Sequence, residues 1–209
     1  SLNAAVMHLQ HAGTLVHLID TPGAPDFIGQ SLPALEAVET AVIVINAASW
    51  KVSGIDAAAV RMMDYAAQRR LDRLLVVNKI DAAGPDLPAL LADIQATFGR
   101  ECLPLNLPDG GGTKVIDCFY NREGHSDFGS VDAAHRALVE QVVEVDAAFV
   151  DRYLNDGDID AAELHAPLEQ ALREGHLMPV CFVSARSGAG VAELLDVIVK
   201  LLPNPSEAN

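Results

Sequence analysis

The stretch Leu74-Leu75-Val76-Val77-Asn78-Lys79-Ile80-Asp81 decides how this chain is read. Its apolar run stops abruptly at Asn-Lys-Ile-Asp. Such a run fits a strand buried on both faces of a parallel sheet, which leaves the polar residues at the strand's C-terminal end, where open α/β sheets bind ligands. Asp81 offers two acceptor oxygens there. Guanine presents a matching pair of donors, N1–H and the 2-amino group, and adenine has no such pair. Each charge-assisted bond of this kind contributes about 1.5–3 kcal/mol. Asn78 can brace the loop and reach the base, while the stem of Lys79 can lie along the purine face. On these positions alone, a strand followed by an ordinary polar turn explains the pattern equally well.

Two further corners have the same character. Residues Ala4 to Gln10 and Thr14 to Ile19 alternate around His11-Ala12-Gly13, which predicts a β-hairpin, and its second strand runs into Asp20-Thr21-Pro22-Gly23. Asp20 could hold Mg²⁺ through water, and Gly23 could bring a bare backbone N–H against a phosphate. The buried strand expected over Leu177 to Val183 ends in Ser184-Ala185-Arg186. Backbone N–H groups there could meet a guanine carbonyl, with the Ser184 hydroxyl holding the turn. Between these corners the pattern predicts a helix over Ile28 to Val38, a strand over Ala41 to Asn46, and helices over Ile55 to Arg70 and Asp86 to Phe98. Strand and helix alternate, as in a parallel sheet with helices on its faces. Asp20, Asn78 and Ser184 then all fall at the C-terminal ends of strands, a coincidence that three unrelated turns would not produce.

With 209 residues, half of them apolar, the chain can bury a substantial core. No apolar run is long enough for a membrane span and no signal peptide opens the sequence, which makes a cytoplasmic setting the expectation. The formal net charge of −15 is opposite in sign to that of a protein living by broad phosphate contacts, so no broad nucleic-acid-binding surface is expected. Cys102, Cys118 and Cys181 form no C-x-x-C pair and read as buried reduced thiols. His8, His11 and His17 have no acidic or thiol partners at ligand spacing and read as residues on the faces of the hairpin.

The regular alternation breaks after Phe98. Asp109-Gly110-Gly111-Gly112-Thr113-Lys114 lacks the G-x-x-x-x-G-K-[ST] spacing of a phosphate loop and precedes an expected strand, Thr113 to Phe119, so it reads as a hairpin turn. Helices follow over Val131 to Leu154 and Ala161 to Glu174, the second with a capping box from Asp160 and Glu163. Asp156, Asp158 and Asp160 resemble a calcium loop only superficially, because the sixth-position glycine and the closing glutamate are missing. A last amphipathic helix runs from Val191 to Leu202 and stops at Pro203.

Taken together, the chain resembles the G domain of a translational GTPase, specifically of elongation factor G and its paralogues. Asp20-Thr-Pro-Gly-Ala-Pro-Asp-Phe27 is similar to that family's D-T-P-G-H-x-D-F, Asn78-Lys-Ile-Asp81 to its N-K-x-D, and Pro179-Val-Cys-Phe-Val-Ser-Ala185 to its final base motif. The resemblance implies a Ras-like, P-loop-NTPase-like α/β fold with a mostly parallel sheet. Residues 1–98 and 176–209 would form the remainder of the G domain, and 99–175 the α+β subdomain that elongation factor G inserts. It also implies GTP or GDP with Mg²⁺ as ligands, the ribosome as partner, and a cofactor-binding set of Asp20, Gly23, Asn78, Lys79, Asp81, Ser184, Ala185 and Arg186, with Asp20 on the metal.

Two departures accompany the resemblance. Neither the family's phosphate loop nor its switch I threonine segment occurs in these residues, which suggests a chain truncated at its N-terminus. Ala24 stands where the family usually has a histidine that orients the attacking water, and a methyl group can neither orient nor polarise water. The fragment alone is therefore expected to be inactive, and a non-catalytic GTPase relic serving as a binding or scaffold module stays open as an alternative.

Overall fold

The computed structural model describes residues 3–156 and 163–206. Its centre is a sheet of β3 (Thr40–Asn46), β4 (Asp72–Asn78), β8 (Met178–Val183) and β5 (Cys102–Pro104), in the order β3-β4-β8-β5 with every neighbouring pair parallel. Crossovers between parallel strands need intervening chain, and helices supply it. α2 (Ala47–Ser53) and α3 (Ala57–Gln68) connect β3 to β4, and α4 (Leu87–Phe98) connects β4 to β5. The side chains of Asn46, Asp56 and Asp86 each accept a backbone N–H in the first turn of the helix they precede.

β4 carries the core on both faces. Leu74 and Val76 join one apolar cluster, and Leu75 and Val77 join the other. This is the two-residue period of a strand, and it explains why the sequence shows an unbroken apolar run. The first cluster contains Leu138 and Val142 of α5 (Val131–Val143) and Leu168 of α7 (His165–Arg173), with Leu194 and Ile198 of α8 (Val191–Leu201) packed against it. The second contains Met63 of α3 and Leu90 and Ile94 of α4.

Several expectations are revised by the tertiary structure. The opening hairpin, β1 (Ala5–His11) and β2 (Thr14–Asp20), forms its own two-stranded sheet and is not hydrogen-bonded to the parallel one. Its Ala12 and Gly13 both take positive φ, as a tight hairpin turn requires. Among the described residues β3 is consequently an edge strand, with Val44 60% exposed. The helix expected over Ile28 to Val38 is a single α turn, α1 (Ile28–Ser31), flanked by 3-10 turns at Pro25–Phe27 and Leu32–Ala37. Pro33 cannot donate the bond that would continue an α-helix. The helix expected over Val131 to Leu154 is two, α5 and α6 (Ala147–Asp156), separated by a turn in which the Asp146 N–H donates to the Val143 carbonyl.

The short α2 and the strands β5 and β6 (Asn106–Asp109) were not expected. β6 pairs antiparallel with β7 (Lys114–Asp117) around the glycine run, so the predicted hairpin turn is present. Gly110, Gly111 and Gly112 all adopt positive φ there. Asp158, Asp160 and the side chain of Asp156 lie outside the described residues, and with them the capping box and the acidic cluster.

All three cysteines are buried and unpaired, as expected. Burial pushes each thiol up to about 12, with neighbouring carboxylates adding to the effect. Native protein at pH 8 should therefore leave all three unreacted with a thiol reagent such as DTNB over minutes, and denaturation in guanidinium should release three equivalents. Labelling of any of them in the native state, read at 412 nm, would contradict this burial.

Candidate functional site

β4 and β8 lie side by side in parallel register, with Asn78 opposite Val183. Both chains leave the sheet at that point, and the Ile80 N–H donates to the Val183 carbonyl at 3.3 Å. The two corners singled out in the sequence, separated by about a hundred residues, are thus neighbours. One side chain ties them together. The Asn78 Oδ1 accepts the Lys79 N–H at 2.7 Å and the Ala185 N–H at 3.0 Å.

The backbone around this link is specialised. Lys79 has φ of +67°, a conformation that costs a residue with a side chain about 1–3 kcal/mol and is uncommon outside glycine. Its side chain is exposed, and Asp81 is half-buried with both carboxylate oxygens uncommitted among the described residues. Ser184 is fully buried. Its Oγ accepts the Ser187 N–H at 3.1 Å, its carbonyl accepts the Gly188 N–H at 2.8 Å, and its own N–H donates to the Ala189 carbonyl at 2.8 Å. The hydroxyl therefore holds the turn, as the sequence suggests. With the Ser184 and Ala185 N–H groups engaged by other groups of the protein, the Arg186 N–H is the one with no described hydrogen bond, on an exposed residue.

Asn78, Lys79, Asp81, Ser184, Ala185 and Arg186 thus converge on one rim. This arrangement fits the base of a guanine nucleotide: a free carboxylate for the paired donors, a lysine stem for a ring face, and a backbone N–H nearby. Asp20 and Gly23 stand apart. Asp20 is the exposed last residue of β2, opposite Ala5, and no described hydrogen bond links it or Gly23 to the β4 and β8 corners. A Cβ at Gly23 would meet nothing within 4 Å, so the fold itself does not require glycine there. Ala24 accepts the Phe27 N–H at 2.9 Å through its carbonyl and presents only a methyl. No group of three histidine, cysteine or acidic side chains suited to a metal occurs among the described residues. The three hairpin histidines agree with that: His8 and His17 face each other across the strands, while the His11 Nε2 lies 2.6 Å from the Asp196 carboxylate of α8.

Two residues that sequence reasoning missed complete the rim from behind. The Asn106 side chain, 2% exposed, donates to the Phe182 carbonyl at 3.2 Å and accepts the Phe182 N–H at 2.7 Å, extending the sheet by one side chain. Gly112 of the β6–β7 turn lies against the Ile80–Asp81 peptide. No local signal marks Asn106. The glycine run was visible, but its packing partner was not. A cleft of about 530 Å³ beside this contact is lined by residues 80–88 and by Pro108, Gly111, Gly112, Asp127 and Phe128.

A parallel sheet whose adjacent strand ends bring an N-K-x-D loop and an S-A corner into hydrogen-bonded contact defines a P-loop-NTPase-like G domain. The sequence comparisons agree. The model of the elongation factor Tu GTP binding domain family matches residues 1–204, and the chain belongs to that family. It is 32% identical over 220 residues to an elongation factor G-like protein of Mycobacterium tuberculosis, covering 99% of this chain and 30% of that protein. The corresponding protein of Thermotoga maritima is 27% identical, with 100% and 32% covered. Peptide chain release factor 3 of Symbiobacterium thermophilum is also 27% identical, with 99% and 40% covered. A crystal structure of a Thermus thermophilus protein superposes with a TM-score of 0.84 at 31% identity, covering 99% of this chain and 33% of the other. The chain is therefore a GTP-binding translation-factor G domain of the elongation-factor-G-like family, and it spans 30–40% of the length of these relatives. Among the described residues, no helix is long and apolar enough to cross a membrane.

Because Asn78 holds both corners, Asn78→Ala should raise amide exchange at Lys79 and Ala185 about fivefold, the equivalent of roughly 1 kcal/mol per lost bond. Exchange in the middle of β3 should stay unchanged. Hydrogen exchange followed by NMR reads both. Equal protection in the variant would show that the corners are held by something else.

Proposed function

We propose that the protein carrying this chain is a guanine-nucleotide-dependent factor of the elongation factor G type that acts on the ribosome in the cytoplasm. Within it, Asp81 accepts N1–H and the 2-amino group of guanine, the Lys79 stem covers one face of the ring, and Arg186 offers its N–H to the base carbonyl. Asn78 and Ser184 hold these groups in position, and Ala185 sits at the link between them. Asp20 serves Mg²⁺ through water and Gly23 approaches the terminal phosphate. Magnesium keeps several waters and takes phosphate oxygens as ligands, so a single carboxylate suffices as the protein's share. Residues 99–175 correspond in this proposal to the inserted subdomain, and 1–98 with 176–209 to the G domain proper.

The observation that carries the base assignment is the Asn78 Oδ1 bridge between Lys79 and Ala185. A free carboxylate three residues beyond Asn78 supports the reading of a partner for a donor pair, and discrimination rests on the bonds a wrong base would leave unmade. Asp81→Asn in the complete gene product should lower GDP affinity at least tenfold and raise affinity for xanthosine diphosphate, whose 2-oxo group accepts where guanine donates. Competition binding with fluorescent nucleotides measures both. An unchanged guanine preference in this variant would overturn the base assignment.

The phosphate side is distinct. Ala24 offers no polar group toward an attacking water. We infer slow hydrolysis even with nucleotide bound. Ala24→His in the complete gene product should raise single-turnover GTP hydrolysis tenfold or more, in keeping with the usual yield of a positioned polar group. Tight GTP binding with no hydrolysis in either form would favour the second reading, a GTPase relic working as a binding module, which the methyl group at position 24 supports.

A further inference from the structure

The β6–β7 hairpin lies outside the residues so far given a role toward the base, yet it touches both base corners from behind. At the β4 corner, the contact is backbone against backbone. A Cβ on Gly112 would stand 2.2 Å from the Ile80 carbonyl oxygen, 2.5 Å from its carbon and 2.9 Å from the Asp81 nitrogen. Gly112 also has φ of +80°, so a side chain there is excluded both by strain and by space. At the β8 corner, Asn106 fixes the Phe182 peptide, and Gly190 sits so close to the Phe182 carbonyl that a Cβ would lie 2.3 Å from it, with a Val115 methyl at 3.2 Å.

The hairpin is itself held firmly. The Gly111 N–H donates to Asp127 Oδ2 at 2.8 Å, the Thr113 Oγ1 donates to the Gly110 carbonyl at 2.8 Å, and the Ser126 Oγ donates to the Pro108 carbonyl at 2.7 Å. Asp109 pairs with Lys114 at 2.7 Å and with His125 at 2.9 Å. Phe128 packs on Phe182 with ring centroids 5.1 Å apart.

We propose that this hairpin sets base selectivity, with Gly112 as the positioning residue that fixes the Ile80–Asp81 peptide and so aims the Asp81 carboxylate at the 2-amino group of guanine. Two hydrogen bonds from one carboxylate to one ring edge depend on both angle and distance, so a displacement of the peptide by a few tenths of an ångström weakens the pair unequally. This inference rests on the base assignment above. Asp127 acts one step further back, through the Gly111 N–H.

The test compares GDP with inosine diphosphate, which lacks only the 2-amino group, in the complete gene product. A general loss of structure lowers affinity for both nucleotides alike. Loss of aim lowers the ratio of the two affinities. Gly112→Ala should cut that ratio tenfold or more. Asp127→Ala, at an exposed position and without threat to folding, should cut it about threefold, and Asp127→Asn, which keeps an acceptor, should restore it. In the 209-residue chain without nucleotide, Gly112→Ala should shift the amide resonances of Ile80 and Asp81 while leaving those of β3 in place. If the ratio stays within twofold of the parent's in Gly112→Ala and Asp127→Ala while Asp81→Asn abolishes guanine preference, the hairpin has no such role. If Asp81→Asn leaves guanine preference intact, the base assignment itself has failed.

Discussion

A single side-chain oxygen organises the functional rim. Asn78 Oδ1 accepts N–H groups from its own successor and from Ala185, closing two loops that belong to different strands into one unit. Backbone N–H groups at the end of a strand lose their ladder partners, and leaving them unpaired is costly. Asparagine satisfies two of them at once, and the parallel register of β4 with β8 brings the second within reach. Lys79 itself takes a left-handed backbone where the chain turns out of the sheet between Asn78 and Asp81. Asp81 is then carried to the rim with its carboxylate free.

Behind this unit the packing is almost entirely apolar. The middle of β4 is enclosed, with Leu74, Leu75 and Val77 each at 0% exposure, so the rim stands directly on the buried core. The hairpin after β5 extends that support outward by other means. Its contacts are a clamped asparagine and a glycine pressed against a peptide, which transmit position without bulk. Asp20 and Gly23, proposed above for the phosphate side, are both exposed and lie outside the buried strands. They hang on the opening hairpin, which reaches the rest of the fold through His11 and Asp196 and through the Ser31 hydroxyl bonded to the Pro22 carbonyl.

Legibility in the sequence followed the range of the forces involved. β4 and β8 were visible as continuous apolar runs, and α3, α4 and α8 because burial of one face imposes a helical period on neighbouring residues. The Gly110–Gly112 turn was visible because its glycines occupy backbone conformations that other residues avoid. The break between α5 and α6 escaped notice, since Glu144 and Asp146 are ordinary residues in a helical run, and the turn there lets Phe149, Val150 and Tyr153 of α6 pack against the cluster that α5 enters. β5 and β6 escaped for a related reason: they are short and proline-containing, and their strand character comes from β8, β7 and the Asn106 clamp.

The candidate site divides along the same line. Residue type and spacing were enough to nominate Asn78, Lys79, Asp81 and Ser184, because a carboxylate with two acceptor oxygens, a lysine stem and a turn-holding hydroxyl have chemistry that can be named from local sequence. Their convergence was inferred from the rule that open α/β sheets present ligand groups at strand ends, and the inference held for the β4 and β8 corners. Only the tertiary structure decided that Asn78 is the bridge, that the Ala185 N–H is consumed by it, and that Gly112 and Asn106 stand behind the rim. Those facts depend on contacts between residues far apart in the chain, where no periodicity or spacing records which backbone atoms will come within 3 Å of each other.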